Sequence, residues 1–176
     1  MKILKRYMDK VFLFESVQHH DNRGFFMRSF CHDTLELHGL ESKIFQINIS
    51  HNISEHTFRG YHYQSEPHSE TKIISCIKGE IFFSLLNLIK ESPFYLNTCN
   101  MLLKQEDSKI CYVPKGFATA FLTLKSYTEV LYLMSDNYKP EAARGIRFND
   151  PIVQEVFPFK PKVISEKDLN FPNFIT

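Results

Sequence analysis

The sequence predicts an all-β protein, a sandwich or barrel of short strands, from three observations. Short runs rich in Ile, Val, Phe and Tyr follow one another closely along the chain. Turn-forming residues separate these runs at residues 21–24, 78–79 and 114–116. The chain of 176 residues contains 17 Phe and 8 Tyr but no Trp, so it can bury a core built from flat side chains. Closely spaced short strands of this kind are typical of sandwiches and barrels.

Six segments have the composition of strands. They are residues 11–14, 44–49, 72–77, 81–88, 110–113 and 128–134. Residues 31–39 have the pattern of a short helix that ends at Gly39. The tail, residues 158–176, contains three prolines, so we expect a coil with a short turn that packs on the barrel. We therefore expect a single domain over residues 1–176.

Charge and composition argue against several classes of protein. The formal net charge is +1 and no long basic run occurs, which argues against a nucleic-acid partner. The chain begins with charged residues, and no apolar window is long enough to span a membrane. The four cysteines have neither metal-ligand spacing nor a dense disulfide pattern, so we expect a reducing cytoplasm.

The segment 44–50 has one apolar and one polar side. Phe45, Ile47 and Ile49 share one side of the expected strand, and the other carries Gln46, Asn48 and Ser50. A polar side of this kind either faces solvent or lines a ligand cavity inside a barrel. The pattern alone leaves both open.

The hexapeptide Arg59-Gly-Tyr-His-Tyr-Gln64 concentrates groups that can do chemistry. Imidazole, with an ordinary pKa near 6.5, is a competent base at physiological pH, and the guanidinium fork suits phosphate oxygens. The chain has eight histidines, however, and a lone histidine is usually structural or exposed. His62 is thus a candidate base that needs support from other residues.

Four further residues have both a structural and a functional interpretation. Lys72 opens an apolar strand, either as a surface lysine or as a cation beside a developing oxyanion. Tyr132 and Tyr138 are six residues apart, so regular strand alternation would place them on one side. The segment 165–168 fits a solvated or capping cluster, and Asp168 belongs to it.

A metal site is not indicated. Gln64 stands two residues after His62, and amides are poor ligands for borderline metals. His68 and Glu70 follow in an expected loop, and the sequence offers no convincing third or fourth ligand.

Taken together, these segments resemble the dTDP-4-dehydrorhamnose 3,5-epimerase family. The matching stretches keep the family's order across nearly the whole chain, and their spacings also match. They are Asp21-Asn-Arg-Gly-Phe-Phe26, Gln46-x-Asn-x-Ser50, Arg59-Gly-Tyr-His-Tyr-Gln64, Lys72, Gly79-Glu80, Glu91-Ser-Pro93, Val113-Pro-Lys-Gly-Phe-Ala118, Tyr132, Tyr138, Asn149-Asp-Pro151 and Ser165-x-Lys-Asp168.

The resemblance implies a cupin jelly-roll β-barrel with short peripheral helices. It further implies a homodimer that exchanges N-terminal strands and uses no metal or organic cofactor. The family's base corresponds to His62, its orienting aspartate to Asp168 and its proton donor to Tyr132. Lys72 corresponds to the lysine near the 4-keto oxygen.

The resemblance also implies a set of substrate-binding residues. Phosphate contacts correspond to Arg59 and to Arg23, the latter reaching across the dimer. Gln46 and Tyr138 correspond to positions near the nucleotide. Phe26, Asn48 and Thr119 complete the expected set.

Several positions depart from the family pattern. Thr119 replaces a pocket histidine, and Phe83 stands where that histidine's partner aspartate is expected. Losing both together avoids an unpaired buried charge. Arg28 and Ala143 each replace a glutamate, and Asn87 replaces an aspartate.

The function implied is epimerisation of a nucleotide-linked 4-keto-6-deoxy sugar for bacterial polysaccharide or natural-product synthesis. The departures leave open a single-centre epimerase, or one acting on a CDP- or GDP-linked sugar. A non-catalytic nucleotide-sugar-binding cupin and a 3,4-ketoisomerase of the same fold also stay open. The four matched groups His62, Lys72, Tyr132 and Asp168 argue against a dead pocket.

Overall fold

Two antiparallel sheets face each other in the structure, a computed structural model that describes residues 1–153 and 156–175. The strands are β1 (Lys2–Tyr7), β2 (Val11–Glu15), β3 (Gln18–Asp21), β4 (Gly24–Met27), β5 (Gln46–Asn52), β6 (Phe58–Gln64), β7 (Lys72–Lys78), β8 (Glu80–Asn87), β9 (Thr98–Lys104), β10 (Lys109–Val113), β11 (Phe117–Thr123), β12 (Thr128–Met134) and β13 (Ala143–Gly145). The helices are α1 (His32–Leu37), α2 (Glu166–Leu169) and a 3-10 turn, Gln105–Asp107.

The larger sheet has six strands in the order β1-β2-β10-β7-β12-β5, and the smaller has five in the order β13-β6-β11-β8-β9. Strands β3 and β4 pair separately as a hairpin. The expected all-β cupin jelly roll with short helices is confirmed, although the two sheets do not close into one continuous barrel.

Strand alternation fills the space between the sheets. At one end the inward side chains are apolar. Val11 from β2, Ile74 from β7, Leu85 from β8 and Leu103 from β9 are each fully buried there. The other end of the same interior is lined by polar side chains and stays open.

The outer face of each sheet is covered by a different part of the chain. Leu35 of α1 packs over Phe14 and Ile73 on the larger sheet. On the smaller sheet, segments after β13 pack against Phe58 and Tyr61. The tail reaches this layer through Phe174, whose N–H donates to Asp150 Oδ2 at 2.9 Å. Thr176, the last residue of the expected tail, lies outside the described residues.

Each of the six predicted segments contains or overlaps a strand, and the predicted helix is present as α1. Seven strands lie outside the predicted segments, namely β1, β3, β4, β6, β9, β11 and β13. Strand β1 is rich in Lys and Arg, and β9 points Cys99, Met101 and Leu103 inward, residues with little strand signature. Within the described residues, no helix is both long and apolar enough to cross a membrane.

Candidate active site

A cavity of about 610 Å³ occupies the polar end of the space between the sheets. Strands β5, β7 and β12 form one wall, and β6, β8 and β11 form the opposite wall. The polar side of β5, Gln46, Asn48 and Ser50, lines the cavity. Of the two interpretations of this strand, the structure therefore supports the cavity lining. The size is in the range of small-molecule sites.

Nine of the eleven predicted site residues line this cavity. They are Gln46, Asn48, Arg59, His62, Lys72, Thr119, Tyr132, Tyr138 and Asp168. The other two, Arg23 and Phe26, lie on the β3–β4 hairpin and do not reach the cavity of their own chain. The Arg23 side chain is 85% exposed and pairs with Asp21 at 2.6 Å, and Phe26 is 76% exposed.

His62 and Asp168 are in direct contact although 106 residues separate them. His62 Nε2 lies 2.8 Å from Asp168 Oδ1. The second carboxylate oxygen accepts the Gly60 N–H at 3.3 Å. Burial alone would raise the pKa of Asp168, but the hydrogen bonds from His62, Gly60 and Ser165 outweigh it, so this pKa lies below its usual value. Asp168 is therefore an ionised acceptor behind the imidazole.

The carboxylate fixes the tautomer of His62. Because Asp168 can only accept, Nε2 carries the proton and Nδ1 keeps its lone pair. The ring is held from another side by Phe171, whose centroid lies 6.1 Å from that of the imidazole in an edge-on arrangement. Nδ1 is thus the atom of this ring that can act as a base.

A bulge in β6 turns two key side chains to the same wall. Thr119 pairs with His62, and Phe121 pairs with Arg59, so Gly60 and Tyr61 together oppose one residue of β11. Residues three apart on a regular strand point to opposite faces. The extra residue reverses the alternation, so both Arg59 and His62 line the cavity.

Gly60 is required where the bulge touches β11. Its φ is +136°, and a Cβ at this position would overlap Ala120 and the carbonyl oxygen of Thr119. Only glycine combines this conformation with so close an approach.

Lys72 is buried in the cavity wall beside Glu70. The exposed fractions of the Lys72 and Glu70 side chains are 6% and 3%, and the ion pair measures 3.3 Å. Lys72 Nζ also donates to the His62 carbonyl at 2.8 Å and to Thr119 Oγ1 at 3.2 Å. Burial lowers the pKa of Lys72, and the charge of Glu70 opposes that shift. In the sequence, Glu70 was noted only as a possible metal ligand, so its ion pair with Lys72 was not predicted.

Tyr132 faces the cavity from β12, on the wall opposite His62. Burial raises the pKa of this phenol, and the nearby charge of Arg59 only partly offsets the effect. Tyr132 is therefore a protonated hydroxyl at working pH. Tyr138 also lines the cavity, but β12 ends at Met134, so the expected strand alternation does not explain its position. Its N–H instead donates to Gln46 Oε1 at 2.9 Å.

Gln64 ties neighbouring loops together. Its side-chain amide donates to the carbonyls of His68 and Asn137, and its oxygen accepts the Lys139 N–H at 2.6 Å. Within residues 1–153 and 156–175, no group of three His, Cys, Asp or Glu side chains could hold a metal ion.

Three cations line the cavity without a carboxylate partner in the described part of the chain. They are Arg59, Arg144 and Lys167. Arg144 was missed, because only the pairing of β13 with β6 brings it to this wall. Lys167 belongs to the resembling segment 165–168 but had no assigned role. Together the three can bind an anionic group such as a diphosphate.

Comparisons with known proteins agree with this geometry. The profile of the dTDP-4-dehydrorhamnose 3,5-epimerase family matches residues 5–175. The chain is 30% identical to the dTDP-4-dehydrorhamnose 3,5-epimerase of Shigella flexneri over 176 residues, covering 99% of this chain and 97% of the relative.

Two solved structures are similar over the whole fold. The dTDP-4-dehydrorhamnose 3,5-epimerase of Bacillus anthracis, with TDP and PPi bound, superposes with a TM-score of 0.94 at 30% identity, covering 98% of this chain and 99% of that one. The dTDP-6-deoxy-D-glucose-3,5-epimerase of Legionella pneumophila, in complex with dTDP-4-keto-L-rhamnose, gives 0.90 at 28% identity and covers 99% of both chains.

Proposed function

Because the chain belongs to the dTDP-4-dehydrorhamnose 3,5-epimerase family and is an isomerase, we propose that it epimerises C3 and C5 of a dTDP-linked 4-keto-6-deoxy sugar with His62 as the base. The observation that carries the proposal is the His62–Asp168 pair, which lies in one cavity with Lys72 and Tyr132. A base, an oxyanion stabiliser and an acid are the groups that such an inversion needs.

The first step is removal of a proton next to the ketone. His62 Nδ1 takes the proton from C3 or C5, the C–H electron pair forms a C=C bond to C4, and the π pair of the C4=O4 bond moves onto O4 to give the enolate. Lys72 donates a hydrogen bond to that oxygen. General-base help of this kind accelerates reactions by about 10²–10⁴-fold, and an oriented oxyanion donor adds about 10²–10³-fold.

The second step returns a proton from the other side. Tyr132 donates its hydroxyl proton to the same carbon and becomes a phenolate, whose charge Arg59 stabilises. Inversion follows because His62 and Tyr132 are on opposite walls of the cavity. Proton exchange of both residues with solvent restores the starting state, so solvent hydrogen enters the product.

The nucleotide part of the substrate is assigned to the open side of the cavity. Arg59, Arg144 and Lys167 are suited to the diphosphate, because guanidinium and ammonium groups form strong hydrogen bonds to phosphate oxygens. Gln46, Asn48 and Tyr138 line the same cavity and are proposed to contact the nucleoside. Thr119 and Phe83 also line the cavity and are proposed to contact the sugar.

A homodimer completes the proposed site. Phe45, Ile47 and Ile49 are exposed in an apolar row at the edge of the larger sheet. A second copy that covers this row could insert its own hairpin, with Arg23 and Phe26, into the neighbouring cavity. Each chain is then one domain that exchanges N-terminal strands with its partner. A cytoplasmic location belongs to the same proposal, since all four cysteines are free thiols.

Deuterium incorporation tests the proposed reaction. We expect the enzyme, incubated with dTDP-4-keto-6-deoxyglucose in D₂O, to place deuterium at both C3 and C5, as read by NMR and mass spectrometry. His62→Ala should abolish exchange, whereas Tyr132→Phe should permit exchange but lower inversion.

A single-centre epimerase and a binding protein would each give a different labelling pattern. Deuterium at one carbon only would indicate the former, and no exchange with any 4-keto nucleotide sugar would indicate the latter. Equal exchange by the wild type and His62→Ala would contradict the assignment of the base. His32→Ala, at an exposed histidine of α1 outside the cavity, provides a histidine control for the overall fold.

A further inference from the structure

We infer that Glu70 is a positioning residue of this enzyme, which keeps the Lys72 ammonium charged and holds it in the cavity wall. The inference rests on the proposed function, in which Lys72 donates to the enolate oxygen. Glu70 itself need not touch the reacting atoms. Its role would be exerted through Lys72 alone.

The hydrogen bonds of Lys72 support this assignment. An ammonium has three N–H donors, and three acceptors surround Nζ. They are the His62 carbonyl at 2.8 Å, Thr119 Oγ1 at 3.2 Å and Glu70 Oε1 at 3.3 Å. Only Glu70 among them carries a charge. All three donors are therefore engaged before any substrate enters the cavity.

To contact a substrate oxygen, Lys72 must release one of these acceptors. A neutral hydroxyl is a weaker acceptor than a carboxylate, so the donor that faces Thr119 is the one that can turn to the enolate. Glu70 and the His62 carbonyl then remain as anchors. Because that carbonyl belongs to the base itself, the anchor also couples the position of Lys72 to His62.

Among the residues that the structure describes, Glu70 has no other partner that could explain its burial. Its side chain is 3% exposed, and Oε2 has no hydrogen-bond partner among the described residues. A carboxylate buried in this way is costly unless a cation compensates it. Its charge is consequently directed at Lys72.

No other anion near Lys72 in the described part of the chain can replace Glu70. Strand β11 offers no titratable side chain. On the other surrounding strands the one carboxylate is Glu129 of β12, which lies at the end of its strand away from Lys72 and pairs with Lys78 at 3.7 Å. Asp136, just after β12, pairs with His68 at 3.5 Å. The other titratable side chains of these strands are not carboxylates, namely Arg59, Tyr61, His62 and Tyr63 on β6, Lys109, Cys111 and Tyr112 on β10, and Tyr132 on β12. Asp168 is engaged by His62. Burial lowers the pKa of Lys72, so removing Glu70 leaves that shift unopposed.

The decisive variant is Glu70→Gln, which keeps the shape and removes the charge. A nearby opposite charge shifts a pKa by about 1–3 units, so we expect the pKa of Lys72 to fall by at least about one unit. The high-pH limb of the kcat profile should move to lower pH by the same amount, with little change in KM. Glu91→Gln, an exposed carboxylate outside the cavity, should leave the profile unchanged.

A direct titration separates this inference from the proposed function. The pKa of Lys72 can be read by NMR of ¹³Cε-labelled lysine, with the signal assigned from Lys72→Met, whether or not the sugar is turned over. An unchanged Lys72 pKa in Glu70→Gln would overturn the inference even if the epimerase activity is confirmed. Conversely, a lowered pKa would support it even if the sugar assignment fails.

Two further variants guard against a general structural defect. Glu70→Asp keeps the charge and should retain the high-pH limb close to that of the wild type. In the Lys72→Met background, Glu70→Gln should cause no further loss of kcat, because Glu70 is inferred to act only through the ammonium. A further loss of tenfold or more in that background would contradict the inference.

Discussion

At the scale of single residues, the His62–Asp168 pair has one partner open to the cavity and one partner buried in the protein. The His62 side chain is 43% exposed, whereas that of Asp168 is 5% exposed. The carboxylate is thus shielded from water, and it accepts hydrogen bonds from His62, Gly60 and Ser165. The other imidazole nitrogen of His62 stays open to a substrate. An imidazole oriented in this way returns to the same neutral tautomer each time it gives up its proton.

Replacing the orienting carboxylate tests this arrangement. In Asp168→Asn the amide can present its NH₂ to Nε2, which favours the wrong tautomer, so we expect kcat to fall by about 10²–10⁴-fold. KM should change much less, since the proposed nucleotide contacts are made by other residues. Steady-state kinetics on purified variants measures both. Retention of wild-type kcat would show that the carboxylate does not orient the base.

The same carboxylate predicts a pH dependence of stability. The pKa of Asp168 in the folded protein lies below its usual value, so the unfolded chain binds its proton more readily. The stabilisation it provides is therefore present at neutral pH and is lost as the pH falls through the lowered folded-state pKa. Urea unfolding of wild type and Asp168→Asn should differ at pH 7 and converge as the pH falls through that lowered pKa. A difference independent of pH would exclude the ionised carboxylate as its source.

Prediction from sequence succeeded for residues within distinctive motifs and failed where pairing across the sheet decides position. His62, Lys72 and Tyr132 could be predicted to share a cavity because each belongs to a segment that resembles the epimerase family. Arg144 could not, since it reaches the cavity only through the pairing of β13 with β6. Arg23 and Phe26 remain predictions that depend on a second chain.

At the scale of secondary-structure elements, two short features assemble the site. The bulge in β6 brings Arg59 and His62 to one face, and α2 brings Asp168 to meet them. Ser165 caps α2 by accepting the Asp168 N–H at 3.1 Å. The segment 165–168 is therefore both a capping cluster and a supplier of the orienting carboxylate. The residue pattern of this segment favoured the first role, whereas the second was implied only by the family resemblance, because it depends on a contact distant along the chain.

A pair of glycine variants tests the bulge. Gly60 and Gly24 have φ values of +136° and +130°, but a Cβ would collide with β11 only at Gly60. Backbone strain of about 1–3 kcal/mol is expected for alanine at either position. Overpacking at Gly60 should add about 1–3 kcal/mol. We therefore expect Gly60→Ala to lower the free energy of unfolding more than Gly24→Ala, as measured by urea denaturation. Equal losses in the free energy of unfolding would show that β11 can move away from the added Cβ without a loss of stability.

At the scale of the whole molecule, one interior serves two purposes. The same facing sheets enclose an apolar core at one end and a polar cavity at the other, so the core holds the cavity walls in place. The apolar side of β5 is the exception, since it faces outward and Ile47 is 66% exposed. The pattern of this strand could be recognised in the sequence, and the cover proposed for its outer side is a second molecule.

A charge in that apolar row tests the proposed dimer. We expect Ile47→Glu to shift the protein from dimer to monomer in sedimentation equilibrium, because a carboxylate would lose its hydration in the interface. KM should rise as well, since Arg23 of the second copy would be lost. Leu37→Glu, at an exposed apolar residue of α1, is the matched control and should remain dimeric. A monomeric wild type would contradict the proposed dimer.

Because of the bulge in β6, the number of residues between Arg59 and His62 decides which side of the sheet each side chain faces. Arg59 and His62 point to a common side only because one residue is present in excess of its partner strand. A deletion of one residue there would send the guanidinium and the imidazole to opposite sides of the wall while leaving both in the sequence. The chemistry of this protein thus depends on the count of residues between two side chains as much as on their identity, and a search for relatives with the same activity should require that count as well as the motif.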